Sequence, residues 1–167
     1  PNLTIIQEEV PVVTSVSEVL KRNTSLLVAN LTQELEIERN RLLDKLHARK
    51  LEQIFIEQRL YKEIEEEKTY KAVYTTIEKS LLPFEDELVR EVTKEDIERL
   101  LEIRIKRISR YDIDKQHKEI RAIEKDIRSV KNALKDTVGY TINYLDDLLQ
   151  KYGKNFSRQT EITEFTE

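Results

Sequence analysis

Residues 113–134 read IDKQHKEIRAIEKDIRSVKNAL. Ile113, Ile120, Ile127 and Leu134 fall seven apart, and Ile123 and Val130 repeat between them at the same period. Apolar residues at that spacing, with charged residues elsewhere, form the a/d seam of a coiled coil, here with β-branched knobs. After Leu134 the seam jumps by four to Val138 and continues through Ile142, Leu145, Leu149 and Tyr152, a stutter that locally unwinds a supercoil. Gly153, just past the last apolar position, is a C-cap signal. A single returning rod is therefore predicted over residues 112–152.

A second rod lies upstream. From Val16 to Arg59 the chain has no Gly or Pro. Val28, Leu31, Leu35, Leu42 and Leu46 make one stripe, interrupted where Glu38 and Arg39 take the seam, and Leu51, Ile54 and Phe55 extend it. Ser15 or Ser17 can cap its start, and Ser15 with Glu18 has capping-box spacing. At the helical rise of ~1.5 Å per residue, this first coiled-coil helix, 16–60, is a rod of roughly 60 Å. A parallel pairing of the two rods would need a connection as long as the rod itself, so they are predicted to run antiparallel. The insert 61–111 then sits at the far tip. It carries its own helical signals. Tyr70, Val73, Tyr74, Ile77 and Leu81 form a stripe between Thr69 as cap and Pro83 as terminator. Thr93 with Asp96 opens a further helix expected to run through Ile97, Leu101, Ile105 and Ile108.

Residues 1–15 differ. Leu3-Thr4-Ile5-Ile6 and Val10-Pro11-Val12-Val13 are β-rich runs, and Pro11 demotes the second to an edge. They read as a short strand or hairpin that has lost its neighbours, and residues 153–167 as a return segment. The fold class is mostly α: a long antiparallel coiled-coil hairpin, a small α-helical globule at its tip and a short β remnant at the N-terminus.

Composition agrees with long helices over a thin core. Of 167 residues 37% are charged and 38% apolar, with two Gly, three Pro and no Trp. The net charge of −4 and the pI near 5.5 provide no overall basic field to draw the chain onto nucleic acid. The absence of Cys excludes disulfides and thiolate metal sites and fits a reducing compartment. No stretch approaches the ~18 consecutive apolar residues of a membrane span. The chain also lacks Met, even at position 1, which leads us to expect an excised fragment, with catalytic residues outside it.

Little in the sequence suggests chemistry. His47 and His117, the only histidines, have no second His or carboxylate at ligand spacing, so no metal site is expected, and His117 beside Gln116 and Lys118 reads as a solvated face. Gly139 and Gly153 are too isolated for a phosphate loop. Tyr70, Tyr74 and Tyr152 lie on apolar seams and read as packing residues; Tyr111 and Tyr140 are undecided. Four glutamates between Glu63 and Lys68 mark a solvated surface. Arg99, Arg104, Lys106, Arg107 and Arg110 are the only local excess of positive charge. The plain reading pairs them with Glu95, Glu98 and Glu102. The functional one gives Arg104, Lys106 and Arg110 a weak contact with passing nucleic acid.

Leu100-Leu101-Glu102-Ile103-Arg104-Ile105-Lys106-Arg107-Ile108-Ser109 resembles the stretch that enters the returning coiled-coil helix in A subunits of bacterial type IIA DNA topoisomerases. Glu34-Leu35-Glu36-Ile37-Glu38 and Leu51-Glu52-Gln53-Ile54-Phe55-Ile56 are similar to that family's descending helix. Asp114-Lys115, Tyr152-Gly153-Lys154 and Arg158 with Thr160-Glu161-Ile162 resemble its exit. The stretch Leu51 to Glu66 is nearer topoisomerase IV than gyrase. The resemblance covers nearly the whole chain in order. It implies that this is the coiled-coil and exit-gate region of an enzyme that cuts one duplex, passes another through the break and releases it where the arms meet. It further implies a bacterial, cytoplasmic parent acting at the nucleoid, an ATP-dependent isomerase whose catalytic tyrosine lies upstream. ATP and magnesium would belong to the holoenzyme through the ATPase B subunit, which binds outside this region, and DNA would be a transient partner. None of the seven tyrosines matches the family's catalytic motif. The alternative is a free-standing helical-hairpin scaffold or tether with no enzymatic role.

Self-association follows from the residues themselves. Leu100 and Ile103 lie off the arc of Ile97, Leu101, Ile105 and Ile108, so they are expected to leave a second apolar face. A two-fold contact buries such a face economically. A homodimer through the tip globule is therefore expected, with Leu100, Ile103, Arg107 and Tyr111 at or near the contact.

Overall fold

In the N-terminal stretch, alternation of side chains across two short extended runs produces a hairpin. The computed structural model describes residues 2–103, 110–157 and 159–160. β1 (Asn2–Gln7) and β2 (Val10–Ser15) pair antiparallel, with Ile5 opposite Val12 and Gln7 opposite Val10. The two-residue turn places Glu8 at φ 48° and Glu9 at φ 67°, the left-handed pair of a type I′ turn, which favours Asn-Gly. A non-glycine residue there costs roughly 1–2 kcal/mol. Glu8→Asn with Glu9→Gly should therefore stabilise the hairpin by about 1 kcal/mol, seen as slower amide exchange in β1 and β2. Ile6 and Val13 are 80% and 67% exposed, so this strand pair presents an uncovered apolar face.

α1 (Val16–Glu57) follows without a break. Ser15 Oγ accepts the Glu18 amide at 3.3 Å, the cap anticipated at that position. The chain resolves into two compact units, Pro1–Glu36 with Asn132–Glu167, and Ile37–Lys131. The first holds the hairpin, the N-terminal half of α1 with buried Leu31 and Leu35, and α5 (Thr137–Tyr152) with buried Thr141. A 3₁₀ turn, Gly153–Phe156, continues from α5. Gly153 does cap that helix, but in right-handed geometry (φ −56°).

The second unit contains the antiparallel helix pairing and the tip. On α1, Leu42 and Leu46 pack with Ile120, Ile123 and Ile127 of α4 (Arg110–Lys135). Arg49 Nε lies 3.3 Å from Glu119, and Glu57 lies 2.6 Å from His117. Partners on α4 advance as positions on α1 recede, which is the antiparallel register. Each such Leu or Ile contributes about 1.5–3 kcal/mol on burial. α1 ends where Arg59 turns left-handed (φ 57°) before a 3₁₀ turn, Leu60–Lys62. Phe55 and Tyr61 meet edge to face across that turn, with ring centroids 6.3 Å apart.

The tip core joins Leu51, Ile54, Phe55, Ile56 and Leu60 to Ile77 and Leu81 of α2 (Tyr70–Leu81) and Ile97 and Leu100 of α3 (Lys94–Leu101). Thr69 caps α2, and a 3₁₀ turn with Pro83 follows it (Leu82–Glu87). Ile113, at the start of α4, packs against the same core.

Tyr70 and Tyr152, read as packing residues, are instead exposed, as are Val138, Ile142, Leu145 and Leu149 of the expected seam. Two further features depart from the sequence pattern. The returning rod is two helices, α4 and α5, because Asp136 interrupts the ladder. Its carboxylate accepts the Gly139 amide at 2.9 Å as the N-cap of α5. A Cβ at Gly139 would come within 2.2 Å of Asp136 Oδ2, so glycine is what lets that cap close. The stutter is thus expressed as a helix break. The other departure is α3, which stops at Leu101 instead of running on through Ile105 and Ile108. The Ile103 amide bonds back to the Leu100 carbonyl at 3.2 Å and tightens the last turn. Ile105 and Ile108 lie outside the described residues.

Candidate functional site

At the start of α3 the sequence Thr93-Lys94-Glu95-Asp96 closes a capping box. Thr93 Oγ1 accepts the Asp96 amide at 3.4 Å, and Asp96 Oδ2 accepts the Thr93 amide at 3.0 Å. Asp96 does more than cap. It is only 4% exposed, and Arg90 donates to both its oxygens, Nη1 to Oδ2 at 2.6 Å and Nη2 to Oδ1 at 3.2 Å. Thr93 Oγ1 adds a further bond at 3.0 Å. His47, on α1 and 0% exposed, brings Nε2 to 3.3 Å from Asp96 Oδ2. Arg90 also reaches Asp44 on α1 at 3.5 Å, and Lys50 donates to the Glu87 carbonyl at 3.1 Å. A buried polar cluster thus ties α1 to α3 and to the segment before it.

The electrostatics follow from this geometry. Burial alone would raise the Asp96 pKa, but the Arg90 bonds and the Thr93 donors outweigh it and hold the carboxyl far below the usual range. His47 is pushed below its ordinary value, first by burial and then by the Arg90 charge, against the opposing pull of Asp96. Since Asp96 is ionised and can only accept, His47 Nε2 must donate to it. Neutral His47 then leaves Nδ1 as a bare lone pair, and that atom is buried without a partner among the described residues. Arg90 amid these groups makes the cluster unsuited to a cation. Among the described residues no group of three or more His, Asp or Glu side chains could hold a metal ion.

Beside this cluster a cleft of about 240 Å³ is lined by Ala48, Leu51, Glu52, Asp96, Arg99, Leu100 and Ile103. It brings together two of the residues expected at a dimer contact, but not as expected. Leu100 is 4% exposed and belongs to the tip core, because Ile97 and Leu100, three apart, form the buried stripe of α3. The free apolar face anticipated at Leu100 is therefore absent. Ile103 is half-buried beyond the end of the helix and packs on the same core. Arg104, Lys106 and Arg107 lie outside the described residues, as do the side chains of Arg110 and Tyr111, whose backbone opens α4.

Sequence reasoning missed the partners of both histidines. His117, read as solvated, is paired with Glu57 and lies 3.1 Å from Gln53 Nε2 across the two helices. His47 and Asp96 are forty-nine positions apart, and no local pattern could have joined them. The acidic run is also engaged. Glu67 accepts from Thr76 at 2.9 Å, and Glu63 accepts from Ser80, both on α2.

Comparison with known proteins supplies what the cluster cannot. The family model of the DNA gyrase/topoisomerase IV A subunit matches residues 1–148. This chain belongs to that family. A curated relative, the A subunit of DNA topoisomerase 4 from Borreliella burgdorferi (strain ATCC 35210 / DSM 4680 / CIP 102532 / B31), is 37% identical over 162 residues. The match takes in 97% of this chain and 26% of the relative, so the chain spans about a quarter of that protein's length. Membership in this family rules against a scaffold unrelated to it. Among the described residues no helix is long and apolar enough to cross a membrane.

Proposed function

We propose that this chain is the coiled-coil and exit-gate region of the A subunit in a type IIA DNA topoisomerase. The observation that carries the proposal is the antiparallel pairing of Leu42 and Leu46 with Ile120, Ile123 and Ile127, with the tip core formed from the residues between, in a chain of the gyrase/topoisomerase IV family. In the whole enzyme two such tips meet and part, letting the transported duplex leave after strand passage. The parent is a bacterial, cytoplasmic isomerase acting at the nucleoid. ATP and magnesium are handled by regions outside this chain and by the B subunit. Here the work is mechanical. The arms span the distance, and the tip provides a homodimer contact. Ile103, Arg107 and Tyr111 are its proposed residues, while Arg104, Lys106 and Arg110 touch passing DNA through weak, salt-sensitive contacts.

A gate that reopens needs a modest contact carried by few residues. Sedimentation of this chain should show a dimer. Arg107→Glu combined with Tyr111→Ala should weaken it by about 30-fold or more, the effect of losing ~2 kcal/mol at a hot spot. The helical circular dichroism should not change. A double variant that stays fully dimeric would move the contact elsewhere, to the rods or to the segment around Tyr61–Lys68.

A further inference from the structure

We propose that His47, Asp96 and Arg90 form a proton-operated clamp, in which neutral His47 holds α3 and the segment preceding it against α1, and doubly protonated His47 releases them. The proposal goes beyond the gate reading and stands independently of it. Three observations carry it. His47 is fully buried, its Nε2 faces an ionised and buried carboxylate, and its Nδ1 has no partner among the described residues. A proton added at Nδ1 would create a buried N–H with no acceptor, beside the Arg90 charge. An unpartnered buried donor costs about 1–3 kcal/mol, more when charged. Opening the clamp lets that N–H reach water, so the proton favours the open form.

The charged groups facing His47 are Asp44 of its own helix, Arg90 of the segment before α3, and Asp96 of α3. Asp44 and Asp96 favour the proton, while Arg90 opposes it together with burial, and the balance lowers the His47 pKa. The direction fixes the sign. The open form binds the proton more readily, so clamp stability is complete above the ordinary histidine value of 6.5 and falls as pH drops below it. The loss stops only below the folded-state pKa. What opens is local to the Ile37–Lys131 unit, while the α1–α4 pairing at Leu42, Leu46, Ile120, Ile123 and Ile127 contains no member of the cluster.

The test combines the NMR titration of the His47 ring with amide exchange of the whole chain between pH 7.5 and 5.5, corrected for intrinsic rates. The opening constant of the Ile97 to Leu100 amides should rise across that range, by up to about tenfold if the folded-state ring stays neutral throughout, following the proton uptake of an open-state histidine. The Ile123 and Ile127 amides should not follow. His47→Gln keeps a donor toward Asp96 and cannot titrate, so it should abolish the rise, whereas His117→Gln should preserve it. A His47 ring that titrates at or above 6.5, an equal rise in both sets of amides, or an unchanged rise in His47→Gln would each overturn the clamp. Should His47→Gln fail to fold, the ring titration, the contrast between the two amide sets and the His117→Gln profile decide the matter without it.

Discussion

Asp96→Ala is expected to destabilise the Ile37–Lys131 unit by about 3–5 kcal/mol, the range for breaking one side of a buried pair. The size comes from what the carboxylate leaves behind. Arg90 loses both its bonds to Asp96, the Thr93 amide loses its capping acceptor, and the His47 Nε2–H is left buried with nothing to accept it. Loss of the cap alone is worth about 1 kcal/mol; the stranded donors account for the remainder. Asp96→Asn should fare little better, since its amide turns a donor toward groups that are themselves donors. Denaturant unfolding at neutral pH checks the magnitude, and acid unfolding checks the cause. The folded carboxyl is held below its ordinary value of 3.8, so its contribution is present above that value and fades as pH falls through and below it. Asp96→Ala should lose that part of the acid dependence.

Leu100→Lys is expected to cost about 4 kcal/mol or more and to unfold the tip. Leu100 lies in the same core as Leu51, Ile77, Leu81 and Ile97. Removing a buried leucine typically costs about 2–5 kcal/mol, and an ammonium with no partner adds the penalty of an unpaired buried charge. Ile103→Lys should be far milder, about 1 kcal/mol, because that half-buried side chain can carry its charge out to water. The contrast separates a core residue from a contact residue. Joint replacement of Leu100 and Ile103 by Lys should yield a chain with a disordered tip, not a folded monomer. Near-ultraviolet circular dichroism of the tip tyrosines, with denaturant unfolding, reads the difference.

The heptads at Ile113–Val130 disclosed the α1–α4 pairing because a strict period leaves few ways to bury the stripe. The caps at Ser15, Thr69 and Thr93 were equally legible, since each depends on a side chain and an amide three residues apart. The break at Asp136 was written in the sequence as an Asp followed three residues on by Gly139, but the unbroken run of apolar positions masked it. The end of α3 was hidden for a related reason. Ile105 and Ile108 continue the period beyond Leu101, and a local pattern cannot tell where tertiary packing stops using it. The polar cluster was not legible at all. The Asp96 capping role could be read locally, while its partners His47, Arg90 and Asp44 are brought to it only by the packing of α3 on α1.

The proposed gate is tested most directly by locking it. The chain has no cysteine, so Tyr111→Cys in an otherwise cysteine-free parent enzyme creates a single reactive site in each copy of this chain. A cleavable bis-maleimide should then join the two copies across their tips. With the B subunit, ATP and magnesium supplied, the joined enzyme should still cleave DNA but should turn over strand passage poorly, and cutting the linker should restore it. Efficient cross-linking with strand passage unchanged would contradict an exit gate at this tip, and so would failure of the tips to cross-link at all.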